Sequence, residues 1–146
     1  MLKRYTFWLS AAACFQLFSA ALHAVSLFVP ATPENDTERE MINLISNYKL
    51  DMDFGFHPTF ANLFTALSSC FSLLFILAGL INGYLLVKRA SPAIVKGIIA
   101  INILVFAACF AIMAVFTFLP PISVTGIVLI NLVIAYCLCP KQTLEA

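Results

Sequence analysis

Charge is nearly missing from this chain: 10% of its 146 residues are Asp, Glu, Lys or Arg, where a water-soluble domain carries roughly a quarter. So little polar surface cannot cover a globule in water, which excludes an ordinary soluble fold. The deficit is also uneven. No charged residue occurs between Tyr5 and Pro33, between Phe54 and Val87, or between Gly97 and Pro140.

Other absences narrow the chemistry. None of the five cysteines, Cys14, Cys70, Cys109, Cys137 and Cys139, lies in the polar segment 30–57, where an oxidising compartment would favour a disulfide. Cys137-Leu138-Cys139 is a C-x-C and not the C-x-x-C of redox motifs. That excludes the quinone-coupled thiol oxidoreductases that share a four-helix core, and the cysteines read as small packing residues. The uncharged tracts hold no carboxylate and no Arg, so no ion relay for a transporter or channel is visible. No Ser-His-Asp or paired-carboxylate arrangement occurs within them either.

What remains is hydrophobic: 62% of the residues, with a mean hydropathy of +1.00. A membrane crossing takes roughly 20 apolar residues. The first two tracts fit one span each. The third is 44 residues long, about 66 Å as one helix, too long for a single crossing. Pro120-Pro121 interrupts it, and proline both lacks an amide donor and clashes with the preceding turn. The pair therefore predicts a tight turn between two spans.

The expected architecture is all-α: a polytopic membrane protein, one four-transmembrane-helix bundle over 1–146, with a short amphipathic helix in the first outer loop. The spans are 7–29, 58–87, 92–119 and 122–139, with the outer loop at 30–57. The first span is expected to stay, since an apolar run of 23 residues is long for a cleaved signal. Ala11-Ala12-Ala13-Cys14 follows too short an apolar stretch for lipidation.

Four crossings put Lys3, Arg4, Lys88, Arg89, Lys96 and Lys141 on one side and only Arg39 and Lys49 on the other. Retained loops are enriched in Lys and Arg, which predicts both termini in the cytoplasm. Six of the seven acidic residues fall in the outer loop. A net charge of +1 split in this way gives no nucleic-acid footprint.

Within the outer loop, Thr37-Glu38-Arg39-Glu40 fits a capping box. Met41, Leu44, Ile45 and Tyr48 follow at helical spacing. They predict a helix of about three turns, marginal alone, with its apolar face on lipid or on the bundle. Asn35-Asp36-Thr37 is formally a glycosylation sequon. At the start of the second span, Pro58 suits the first helical position. Ser91 is the expected N-cap of the third.

Polar striping is the informative pattern inside the spans. Asn62, Thr65, Ser69, Ser72, Gly79 and Gly83 form one seam on the second helix. Such residues let helices approach and hydrogen-bond. Gln16, Ser19, His23 and Ser26 share a face of the first helix; the third contributes Asn102 and the fourth Asn131. An unpaired amide in hydrocarbon costs several kcal/mol, so these groups are expected to point inward. Gln16, Thr65, Ser72, Gly79, Gly83, Asn102 and Asn131 read as helix-packing residues.

His23, His57 and Asn62, with Ser19, Ser69, Asp51 and Asp53, are expected to converge on a polar pocket at the outer leaflet. Histidine there can exchange protons or bind metal. Two histidines without characteristic spacing define no metal site, however, and neither metal nor cofactor is expected.

His23 near the end of the first span, Pro33-Glu34-Asn35, and Ala78-Gly79-Leu80-Ile81-Asn82-Gly83 give the chain a resemblance to small four-helix bacterial membrane proteins. More loosely it resembles the DoxX-like proteins. The resemblance implies a four-helix membrane fold and lends no activity. The expected function is a helix-packing subunit or regulator of a membrane complex in the bacterial cytoplasmic membrane, without catalysis of its own. Its expected partners are lipid and another membrane protein or further copies of itself. The alternative is a small lipid- or quinone-handling enzyme using the pocket around His23, His57 and Asn62.

Overall fold

A computed structural model describes residues 4–140. Lys3 and Lys141, two of the six basic residues behind the orientation, lie outside the described residues. Among the described residues five α-helices form: α1 (Tyr5–Ser26), α2 (Asp36–Asn47), α3 (Phe60–Val87), α4 (Pro92–Phe116) and α5 (Leu119–Leu138). All but α2 are long and apolar enough to cross a membrane. The chain has the all-α, four-helix architecture of an integral membrane protein.

Prolines and caps set the ends. Past Ser26, Leu27, Phe28 and Val29 each donate to a carbonyl three residues back, the tightened turn that commonly closes a helix. Pro30 follows. Pro120-Pro121 does not form the turn between the last two spans. Both prolines sit in the first turn of α5, where backbone donors have no intrahelical acceptor and a missing N–H costs nothing. The turn is instead Thr117-Phe118, the C-cap of α4 followed by the N-cap of α5.

Two other starts shift for similar reasons. Asn35, not Thr37, caps α2: its Oδ1 accepts from Glu38 N–H at 2.9 Å, and the Glu38 carboxylate reaches back to Glu34 N–H at 2.8 Å. The cap falls two residues earlier than expected because Asn also serves at this position. Pro58 lies outside α3. Its carbonyl accepts from Leu50 N–H at 2.9 Å, and Thr59 caps the helix in its place. At the far end of α3, Ala90 N–H bonds to Leu85 and Arg89 N–H to Leu86, a Schellman closure. It places Arg89 at φ 50°, where glycine is usual.

Residues 4–19 with 75–140 form one compact unit and 20–74 a second. In the first, α1, α3, α4 and α5 pack together. Leu9, Phe75, Ile99, Phe106, Val128 and Leu132 are its large fully buried apolar side chains. Phe75 meets Phe106 edge-on at 5.0 Å, a favoured aromatic geometry. At Gly79 a Cβ would lie 2.8 Å from Leu17 Cγ and 3.3 Å from the Ala13 carbonyl oxygen, so α1 and α3 pack too closely there for a larger residue. The second unit contains the end of α1, α2, a short antiparallel hairpin over 49–59, and the first half of α3.

Candidate functional site

Three amides of the spans meet one another, and most of the other polar side chains there bond backbone carbonyls of their own helix. In the first unit, Asn82 Nδ2 donates to Gln16 Oε1 at 3.0 Å, and Asn102 Nδ2 donates to Asn82 Oδ1 at 3.3 Å. Gln16 and Asn82 are completely buried. Asn102 also donates to the Ile98 carbonyl at 3.1 Å. Three helices are thus joined by a head-to-tail relay of amides. Its last donor, Gln16 Nε2, is buried and has no partner among the described residues. On α5, Asn131 Nδ2 turns onto the Ile127 carbonyl at 2.7 Å and Thr125 onto Pro121 at 2.8 Å.

Asn82 is the centre of this relay, and the seam expected through Ser72, Gly79 and Gly83 runs beside it. The buried face of α3 includes Ser72, Phe75, Ala78, Asn82 and Leu85. A helical spacing of three and four from Ser72 through Gly79 reaches Asn82 as readily as Gly83, and only Asn82 carries groups that must be paired.

At the basic end, Lys96 on α4 reaches α5. Its Nζ lies 3.0 Å from the Cys139 carbonyl and 4.9 Å from the centre of the Tyr136 ring. A cation on the last carbonyls of a helix satisfies them and complements the helix dipole. The buried Cys139 thiol donates to the Pro92 carbonyl at 3.5 Å, while Cys14, Cys70 and Cys137 are exposed.

The residues expected to form the outer pocket are dispersed. His57 Nδ1 lies 3.5 Å from Asp51 Oδ1, with both side chains exposed. His57 and Asp53, with Met52, Phe56 and Pro58, border an open depression of about 620 Å³. Asn62 is a capping residue: its N–H donates to Thr59 Oγ1 at 3.2 Å and its Oδ1 accepts from Thr59 N–H at 3.4 Å. His23 packs edge-on against Phe71 at 5.2 Å. Phe71 is nine residues along α3 from Asn62, a rise of about 14 Å, so the two are more than two turns apart in depth.

Ser69 turns onto the Thr65 carbonyl at 2.7 Å and Ser72 onto Ser68 at 3.4 Å. Both hydroxyls are engaged within their own helix. Thr65 is exposed and Ser19 buried, while a Cβ at Gly83 would have nothing within 4 Å. Among the described residues, no three His, Cys, Asp or Glu side chains are grouped to hold a metal ion.

The hairpin has a sequence signal of its own. From Lys49 to Thr59 polar and apolar residues largely alternate, Lys-Leu-Asp-Met-Asp-Phe-Gly-Phe-His-Pro-Thr, the period of a half-buried strand. Comparison with family models, curated proteins and solved structures finds no match to this chain.

Proposed function

We propose that the protein acts as a helix-packing subunit of a membrane complex, without catalysis of its own, and docks through α4. The observation that carries this reading is the exposed face of α4. Ala93, Gly97, Ala100, Ala108 and Ala111 lie there along one face, all exposed, with the larger Leu104 between Ala100 and Ala108. A Cβ at Gly97 would have nothing within 4 Å. Small residues at this spacing let a second transmembrane helix approach closely. α4 is also the most apolar span and the least covered, 17% buried against 28–33% for the others. The interior supports the same reading, since Gln16, Asn82 and Asn102 are engaged with one another.

Arg4, Lys88, Arg89 and Lys96 favour termini on the cytoplasmic side of a bacterial cytoplasmic membrane. The partner is another membrane-spanning helix, from a different protein or a second copy. Crosslinking in the native membrane followed by native electrophoresis tests it. The wild-type chain is expected in a complex larger than the monomer, and Gly97→Leu with Ala108→Leu is expected to release it. A wild-type chain found only as monomer refutes the proposal.

A second reading, a lipid- or quinone-handling enzyme, has one observation in its favour: His57 and Asp51 side by side at the depression bordered by Asp53 and Phe56. Loss of a cellular phenotype in His57→Ala at unchanged protein level and unchanged complex size would favour it over docking.

A further inference from the structure

The hairpin has two chemically different faces. Lys49 pairs with Thr59 and Met52 with Phe56, which sets Leu50 opposite Pro58 and Asp51 opposite His57. Side chains alternate across a strand, so Leu50, Met52, Phe56 and Pro58 share one face. Asp51 and His57 share the other, where they meet at 3.5 Å. Beyond Met52 the chain reverses through Phe54 and Gly55, at φ 63° and 78°. Consecutive positive φ values suit the twist of a tight hairpin, and glycine adopts them freely. A bulky aromatic at positive φ is an outlier. The Phe54 side chain is 97% exposed, so contacts within the chain do not explain its presence there.

We infer that this hairpin is a membrane-interface wedge, with its apolar face and the Phe54 tip lying at the headgroup–acyl boundary of the bilayer that α3 crosses. Continuity with the lipid-facing surface of α3 carries this placement. Thr59 both closes the hairpin and caps α3, so no linker separates the wedge from the span. Phe60 and Phe64, in the first two turns of α3, are exposed, as are Phe56 and Phe54 just before them in the chain. The 28 residues of α3 rise about 42 Å, close to the roughly 40–45 Å of a bilayer with its headgroups. Thr59 then sits at headgroup depth, within reach of the boundary for its hairpin. An aromatic ring is well suited to that layer.

Charge selects the lipid. Residues 30–57 carry six acidic side chains against Arg39 and Lys49, which disfavours anionic headgroups and leaves zwitterionic ones. Docking through α4 plays no part in this inference.

Trp8 is the sole tryptophan, so a Trp8→Phe background isolates a reporter. In that background, full-length Phe54→Trp is reconstituted into phosphatidylcholine vesicles. Its emission is expected to shift to shorter wavelength, to be quenched by phosphatidylcholine brominated near the carbonyl end, and to lose most acrylamide quenching. Adding anionic lipid should not strengthen the effect. Asp51→Trp, on the opposite face, is expected to be quenched by acrylamide and spared by bromolipid. Phe56→Trp leaves the left-handed position intact and carries the same expectation as Phe54→Trp, which guards against a folding defect at the tip. Acrylamide quenching of both reporters on the apolar face overturns the wedge. Shielding from both quenchers overturns it too, because it would seat the hairpin against protein. Equal behaviour of Asp51→Trp and Phe56→Trp removes the two-faced arrangement.

Discussion

Asn82 donates from Nδ2 to Oε1 of Gln16 at 3.0 Å, and both side chains are completely buried although 66 residues separate them. The bond joins α1 to α3, and Asn102 extends it to α4. An interhelical bond of this kind contributes about 0.6–2 kcal/mol in a membrane. Its larger effect is to exclude alternative rotations of the helices, each of which would leave amides unpaired.

The relay is asymmetric, and so are its expected mutants. Asn82→Leu would strand both ends of the Gln16 amide, and a buried unsatisfied group costs about 1–3 kcal/mol. Gln16→Leu removes the orphaned Nε2 and strands only Asn82 Nδ2, an exchange expected to stay within about 1 kcal/mol. Denaturant titration in detergent should therefore rank Asn82→Leu as the more damaging. The reverse order would show that the relay does not end at Gln16 Nε2.

The two glycines of the seam should behave differently. Gly79→Ala drives a Cβ against Leu17 and the Ala13 backbone, and overpacking of this sort costs about 1–3 kcal/mol. Gly83→Ala meets nothing within 4 Å and gains helix propensity of up to about 1 kcal/mol. Thermal unfolding in one detergent is expected to fall for the first and to hold or rise for the second. Equal losses would contradict the packing of α1 against α3.

Lys96 fastens α4 to the end of α5. Lys96→Met keeps most of the apolar stem but loses the bond to the Cys139 carbonyl and the cation over Tyr136. A hydrogen bond from a charged group contributes about 1.5–3 kcal/mol. Lys96→Arg should recover part of it. Hydrogen exchange is the sharper readout: the last turn of α5 should lose protection in Lys96→Met while α1 keeps its own. Unchanged exchange at that turn would reduce Lys96 to a surface charge.

How far the chain can be read from its sequence differs from residue to residue. The four long helices are legible because hydrocarbon rejects charge and the charge-free tracts are unmistakable. Gly79 and Gln16 reveal their packing role through spacing alone. Asn62 reads as a pocket residue, yet it caps α3 with Thr59. A polar residue near the start of a helix serves either purpose, and only its neighbours decide. Pro120-Pro121 marks the last turn to within two residues and no better, because proline breaks a helix interior but begins a helix well.

Composition and the placement of fifteen charged residues determined by themselves that the chain is suited to a membrane and how many times it can cross. Those outcomes depend on solvation, which acts on each residue where it stands in the chain. Tertiary structure alone decided that Asn82 joins Gln16 to Asn102, that His23 faces Phe71 and not His57, and that Lys96 closes α5. Pairing depends on the relative rotation and depth of helices distant in sequence, and helical periodicity leaves both free until the helices pack.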